Sequence, residues 1–298
     1  MTAAAWSVGG GLQLPLANGP LLMAILNVTP DSFSDGGQHA DPAQAVAAAH
    51  AALAAGAHLL DIGGESTRPG AQRVPVQQQV ERTLPVVRAL AQHAVVSIDT
   101  TRAAVAQAAL AAGARIVNDV SAGTEDPGML RVAAEHGAGL VLMHRMAPPE
   151  QERFSHQYES APAYADVVRD VCAWLAQRAQ AAMDAGVPRQ CIALDPGLGF
   201  GKNVQQNFAL LQRLPELCAL GFPVLVGASR KSFVGAVTGV AEPARRVQGS
   251  VGAALAAVAG GAHVLRVHDV APHAAAIRKN TSGAWLRWTR GAHAPDGS

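Results

Sequence analysis

Cysteine is nearly absent: the 298 residues contain three, at positions 172, 191 and 218, with no Cys-x-x-Cys pair and no histidine at ligand spacing beside them. This argues against a disulfide framework or a cysteine-ligated metal, and the three read as buried or half-buried free thiols. Long apolar runs are missing too. No stretch approaches the roughly 20 residues that cross a bilayer, and the N-terminus MTAAAWSVGG has neither the basic start nor the long apolar core of a secretion signal. A cytoplasmic protein with no membrane partner is expected. Charge of either sign is scarce, with 23 Lys and Arg against 22 Asp and Glu and a net charge of +1. Such a balance gives no electrostatic case for nucleic acid.

What the chain does have is apolar mass, 49% hydrophobic against 15% charged, enough for a large core. It is delivered in eight short runs, at residues 21–26, 58–62, 94–98, 115–117, 139–143, 191–194, 223–226 and 263–267. Rich in Val, Leu and Ile and lacking alternation, they suit strands buried on both faces, as in a parallel sheet. Between them lie Ala- and Leu-rich stretches such as 42–55, 102–112, 164–185 and 250–259, whose composition favours helix. Helix after helix ends at a glycine, Gly56, Gly113, Gly137, Gly186 and Gly261, where a left-handed cap would precede the next strand.

Eight strand and helix units in one chain predict a single α/β domain, a closed (β/α)8 TIM barrel with its site at the C-terminal ends of the strands. An open doubly wound sheet is the rival, and no Gly-x-Gly-x-x-Gly follows the first run to support it. The division expected is an N-terminal extension over 1–20 that could cap the barrel, the barrel over 21–284, and a frayed tail over 285–298.

Each run stops on a residue able to bind or react: Asn27, Asp61, Asp99, Asn118 with Asp119, His144, Asp195, Ser229, and Arg266 with His268. Of eleven histidines only His144 and His268 stand at strand ends; the others read as solvated or packed. The loop after the first run, Asn27-Val28-Thr29-Pro30-Asp31-Ser32-Phe33-Ser34-Asp35-Gly36-Gly37, is dense in oxygen ligands of the hard kind Mg²⁺ prefers, and reads as a mobile lid. After the second, Glu65-Ser66-Thr67-Arg68-Pro69-Gly70 sets hydroxyls and a guanidinium on a stiff turn, an anion clamp. Metal ligand and clamp together suit a diphosphate.

Asp195-Pro196-Gly197-Leu198-Gly199-Phe200-Gly201-Lys202 superficially suggests a phosphate loop, but the final hydroxyl of that motif is missing. Asp195 reads instead as an acceptor for an amino-heterocycle and Phe200 as a flat wall. Asp99 and Asn118 would complete the matching of that ring's donors and acceptors. At the seventh run, Gly227-Ala228-Ser229-Arg230-Lys231-Ser232 allows close backbone approach and adds a compact charge.

In segments 26–37, 61–71, 97–100, 118–121, 195–201, 227–233 and 266–269, in order along 21–277, the chain resembles the dihydropteroate synthase family. The resemblance implies condensation of 6-hydroxymethyl-7,8-dihydropterin diphosphate with para-aminobenzoate in folate biosynthesis, with Mg²⁺ as cofactor, small-molecule partners only, and a homodimer. Asn27 would bind the metal, with Asp35 a second candidate, and Asn27, Arg68, Arg266 and His268 would hold the diphosphate. Asp99, Asn118, Asp195 and Lys231 would contact the pterin, lined by Met143, Phe200 and Gly227. Thr67, Pro69, Ser229, Lys231 and Ser232 would shape the para-aminobenzoate pocket. Catalytic weight falls on Asp99, Arg68, Lys231 and His268, with no covalent intermediate.

Two departures from the family pattern stand out. Met143-His144-Arg145-Met146-Ala147-Pro148-Pro149 shifts the second Met of a Met-His-Met sequence and loses its glycine. Gln77-Gln78-Gln79 replaces acidic residues, which reads as surface variation. The alternatives are a pterin-dependent methyltransferase domain, which has no use for a diphosphate clamp, and a silent pterin-binding paralogue, which should have lost Arg68, Lys231 or His268.

Overall fold

The computed structural model describes residues 4–29 and 41–281. Asp35, most of the loop that carries it and the segment 285–298 lie outside the described residues. A short antiparallel hairpin, β1 (Ala5–Val8) and β2 (Leu12–Pro15), comes first. Eight parallel strands follow: β3 (Leu21–Asn27), β4 (Leu59–Gly63), β5 (Val95–Asp99), β6 (Ile116–Asp119), β7 (Gly139–Met143), β8 (Ile192–Asp195), β9 (Leu225–Val226) and β10 (Val264–Val267). Their order is β8-β7-β6-β5-β4-β3-β10-β9, and a parallel bridge between Leu194 and Val224 joins the two ends of the series. The sheet is therefore a ring with helices outside it, the (β/α)8 barrel expected.

The helices are α1 (Pro42–Ala54), α2 (Val76–Leu90), α3 (Ala103–Ala111), α4 (Gly128–Glu135), α5 (Val167–Asp184), α6 (Val204–Gln212), α7 (Leu214–Cys218), α8 (Ser232–Thr238), α9 (Val247–Ala259) and α10 (Val270–Thr281). All five glycines expected to turn a helix into the next strand have positive φ, from 55° at Gly137 to 108° at Gly113.

Strand parity explains both the core and the site, because successive side chains point to opposite faces. Leu22, Ala24, Leu60, Ile62, Val96, Ile98, Val117, Leu140, Leu194 and Leu265 face the helices in the larger core. Leu21, Met23, Leu59, Ile116, Val141, Ala193, Leu225 and Val264 fill the inside of the ring at its lower end. The hairpin closes that end: Trp6 is fully buried in the same inner cluster with Val8, Leu14 and Leu16, and its indole N–H donates to the Cys191 carbonyl at 2.8 Å. Core below leaves the upper end of the barrel for chemistry.

One surface reading is corrected. Gln79 is 1% exposed, its amide nitrogen donates to the Val74 carbonyl at 3.0 Å and its oxygen accepts from Thr100 at 3.2 Å. Gln77 and Gln78 are exposed, so only the residue whose helical phase turns it toward β5 is structural.

Candidate active site

Two residues beyond each inner apolar position, the same parity brings a polar or small residue inward. Thus Asn27 follows Met23 and Ile25, Asp61 follows Leu59, Asp99 follows Val95 and Ser97, and Asn118 follows Ile116. Asp195 follows Ala193, Gly227 follows Leu225, and Arg266 follows Val264. Register aligns them: Asn27 pairs with Gly63, Gly63 with Asp99, and Asp99 with Asn118. Asp119 has the opposite parity and stays out of the site. Its carboxylate accepts from Ser121 N at 2.8 Å, Ser121 Oγ at 2.7 Å and Gly123 N at 2.6 Å, and so shapes a turn.

These ends open into a cavity of about 1170 Å³, solvent mouth included, at the upper face of the barrel. Asn27, Thr67, Arg68, Pro69, Asn118, Met143, Asp195, Phe200, Gly227, Ser229, Lys231, Ser232, Arg266 and His268 all line it. Asp99 does not. Its carboxylate is buried and accepts from Arg266 Nη2 at 2.6 Å, while Arg266 Nε donates to Asp61 at 2.6 Å. Asn118 Nδ2 also donates to Asp61, at 2.9 Å. Two carboxylates thus share one guanidinium. Burial, set against Arg266 and reinforced by Asp61, lifts Asp99 to about 7. The guanidinium loses by burial and gains more from the two aspartates, so it stays charged.

The remaining walls divide by chemistry. Val120, Met143 and Phe200 form a small apolar cluster, and the Lys231 ammonium sits 3.9 Å over the Phe200 ring. Burial lowers Lys231 to about 7 despite Asp195 nearby. Lys231 also donates to the Leu198 carbonyl at 2.8 Å, and Asp195, raised by burial, accepts from Gly197 N at 2.7 Å. A Cβ at Gly197 would collide with the His144 carbonyl, and φ there is 68°, so the loop requires glycine.

On the rim stand Arg68, exposed, and His268. Burial first, then Arg266, Arg230 and Arg68, hold His268 at about 3, so it is neutral at pH 7. Its backbone N–H donates to Ser229 Oγ and its Nδ1 meets the same oxygen, both at 3.1 Å. A hydroxyl proton directed to Nδ1 would put the ring proton on Nε2.

Several contributors carry no sequence signal of their own. Arg230 adopts φ 60° and is clamped to Asp269 by two bonds of 2.9 and 2.6 Å, while its carbonyl accepts from Arg246 at 2.9 Å. That strained residue separates Ser229 from Lys231 and lets both face the cavity. Lys202 is fully buried, donating to the carbonyls of Gly197 and Phe200 at 3.0 and 2.8 Å and to His144 Nδ1 at 3.0 Å. Burial, with Lys202 beside it, holds His144 at about 3. The fifth strand end therefore braces the 195–202 loop from behind.

Fold and cavity together define a barrel enzyme for a flat, nitrogen-rich ring that carries an anionic group. The family model described as pterin binding enzyme matches residues 23–268. A dihydropteroate synthase of Mycobacterium leprae is 48% identical over 273 residues, 89% of this chain and 93% of that one. The Xanthomonas albilineans dihydropteroate synthase solved with 4-aminobenzoic acid superposes with a TM-score of 0.84 at 43% identity, covering 94% of this chain and 98% of that one. That from Burkholderia cenocepacia, complexed with 7,8-dihydropteroate, gives 0.84 at 42%, covering 97% and 99%. The chain belongs to the pterin-binding enzyme family, as a dihydropteroate synthase.

Proposed function

We propose that this transferase condenses 6-hydroxymethyl-7,8-dihydropterin diphosphate with para-aminobenzoate, releasing pyrophosphate and 7,8-dihydropteroate. The observation that carries this is one cavity lined both by buried acceptors and an amide, Asp195 and Asn118, and by the exposed Arg68 guanidinium, the His268 imidazole and hydroxyls. Asp195 and Asn118 match the N–H groups and carbonyl of the pterin, Lys231 adds a donor, and Met143, Phe200 and Gly227 leave room for a flat ring.

Arg68 and His268 take the diphosphate, His268 as a neutral donor through Nε2. Arg266 spends Nε and Nη2 on Asp61 and Asp99, so its contact with the anion rests on Nη1. Asn27 offers one amide oxygen on the cavity wall. A lone hard donor of this kind suits Mg²⁺, which is ordinarily shared with substrate phosphates rather than caged by protein. When bound it would neutralise charge on the leaving diphosphate.

The bond from the exocyclic carbon to the diphosphate oxygen breaks first, and the dihydropterin delocalises the cation left behind. The aspartates beneath Arg266 keep that region of the cavity from becoming net positive. Para-aminobenzoate then needs only placement, since an aniline nitrogen is nucleophilic at neutral pH; it forms the C–N bond to that carbon and gives up one N–H proton to solvent. Thr67, Pro69, Ser229, Lys231 and Ser232 surround the space left for it. Incubating the protein with both substrates and Mg²⁺ and assaying the mixture by mass spectrometry should yield 7,8-dihydropteroate. Its absence at any enzyme concentration would refute the reading.

A cytoplasmic homodimer is the proposed working form. Val237, 62% exposed, stands beside Val234, Phe208, Ala253 and Ala256 on the face shared by α6, α8 and α9, an apolar surface suited to a second copy. Light scattering should give the mass of two chains, and Val237→Glu that of one.

A further inference from the structure

Loop 2, residues 64–75, is held from outside by the segment that follows β7. Gly70 N donates to the Pro149 carbonyl at 2.8 Å. At the far end of the loop, Arg73 lies among three carboxylates, Glu65 at 3.5 Å, Glu150 at 3.2 Å and Glu125 in direct contact. Glu125, on the turn after β6, also binds Arg145 through the same oxygen and accepts from Thr101 Oγ1 at 2.7 Å. Glu65 closes the base of the loop by accepting from Val74 N at 2.6 Å. Thr67, Arg68 and Pro69 are at its tip, on the cavity.

Arg145 is the residue that departs from the family's Met-His-Met pattern, and its side chain is only 5% exposed. A guanidinium so placed needs a carboxylate, and the one it has is shared with loop 2. Burial works against the charge on Glu125, yet Arg73, Thr101 and Arg145 outweigh it and hold the carboxyl below its ordinary value. With Glu125 neutralised, two like charges would face each other across the junction.

We propose that Glu125, bridging Arg145 and Arg73, is a latch that positions loop 2 and so sets the affinity for para-aminobenzoate without touching the pterin pocket. None of the three lines the cavity, so they are positioning residues. The proposal rests on the assignment of Thr67 and Pro69 to the para-aminobenzoate pocket.

The test compares wild type with Arg73→Gln, which frees the loop while leaving Glu125 its Arg145 partner, and with Glu125→Gln. Steady-state kinetics should show KM for para-aminobenzoate raised about tenfold, while calorimetric titration of the bare pterin, which lacks the diphosphate that Arg68 on the same loop would hold, stays within about twofold of wild type. Hydrogen exchange at Gly70 should accelerate in both variants, and Arg73→Lys should restore part of the affinity. Equal losses of affinity for para-aminobenzoate and for the bare pterin, or no change in either, would overturn the latch. Faster exchange at Gly70 in a protein whose wild type forms no dihydropteroate would instead keep the latch and refute the functional reading.

Discussion

Asp61 and Asp99 are both buried and both bound to Arg266, and this arrangement decides what single substitutions at the site can do. Arg68 is different, being exposed on a loop and engaged with no carboxylate among the described residues. Arg68→Ala should lose most turnover while the melting temperature stays within about 2 °C of wild type, since surface changes stay within about 0.5 kcal/mol. An unaltered kcat and KM would remove Arg68 from the anion clamp. Asp195→Asn should weaken pterin binding far more than para-aminobenzoate binding, read by calorimetric titration of each ligand; equal losses would contradict the assignment.

The two histidines at strand ends give a pH dependence at the same scale. His144 and His268 are each lowered to about 3, so both are neutral when folded and charge on unfolding near their ordinary 6.5. Their contribution to stability is present above about 6.5 and is lost as pH falls from there toward 3. His268→Gln should therefore show a smaller drop in melting temperature than wild type between pH 7 and 5. An identical drop would place the acid sensitivity elsewhere. Strand-end polar residues were visible in the sequence because a charge closing an apolar run is conspicuous. Lys202, Glu125 and Gln79 were not, because a buried polar side chain looks like a surface one until its partner, tens of residues away, is known.

Among elements, parity does most of the positioning. Most barrel strands fill their lower inner positions with apolar side chains and bring a polar or small residue inward near the upper end, so the site needs no special backbone in the strands themselves. The loops were less legible. Loop 2 showed its hydroxyls and Arg68, but not that Pro149, Glu150 and Glu125 restrain it, because those contacts join three separate strand ends. The hairpin makes a prediction at this scale. Trp6→Ala should remove about 3–5 kcal/mol of unfolding free energy, measured by denaturant titration, with kcat preserved, since the plug lies at the end of the barrel opposite the cavity. A matching loss of kcat would couple the plug to the site.

For the whole molecule, eight strand and helix units, five of the helices ending at a glycine, were enough to anticipate a closed ring, and ring closure in turn obliges the strand ends to share one cavity. What closure does not dictate is the division of that cavity into a pterin base and a diphosphate rim, the latter proposed for Asn27, Arg68 and His268 among the lining residues. Pyrophosphate release tests that division. With dihydropterin diphosphate, para-aminobenzoate and Mg²⁺ all present, release should be rapid, and omitting the metal or para-aminobenzoate should abolish sustained turnover. Equally fast release without Mg²⁺, or none with all three present, would contradict the account.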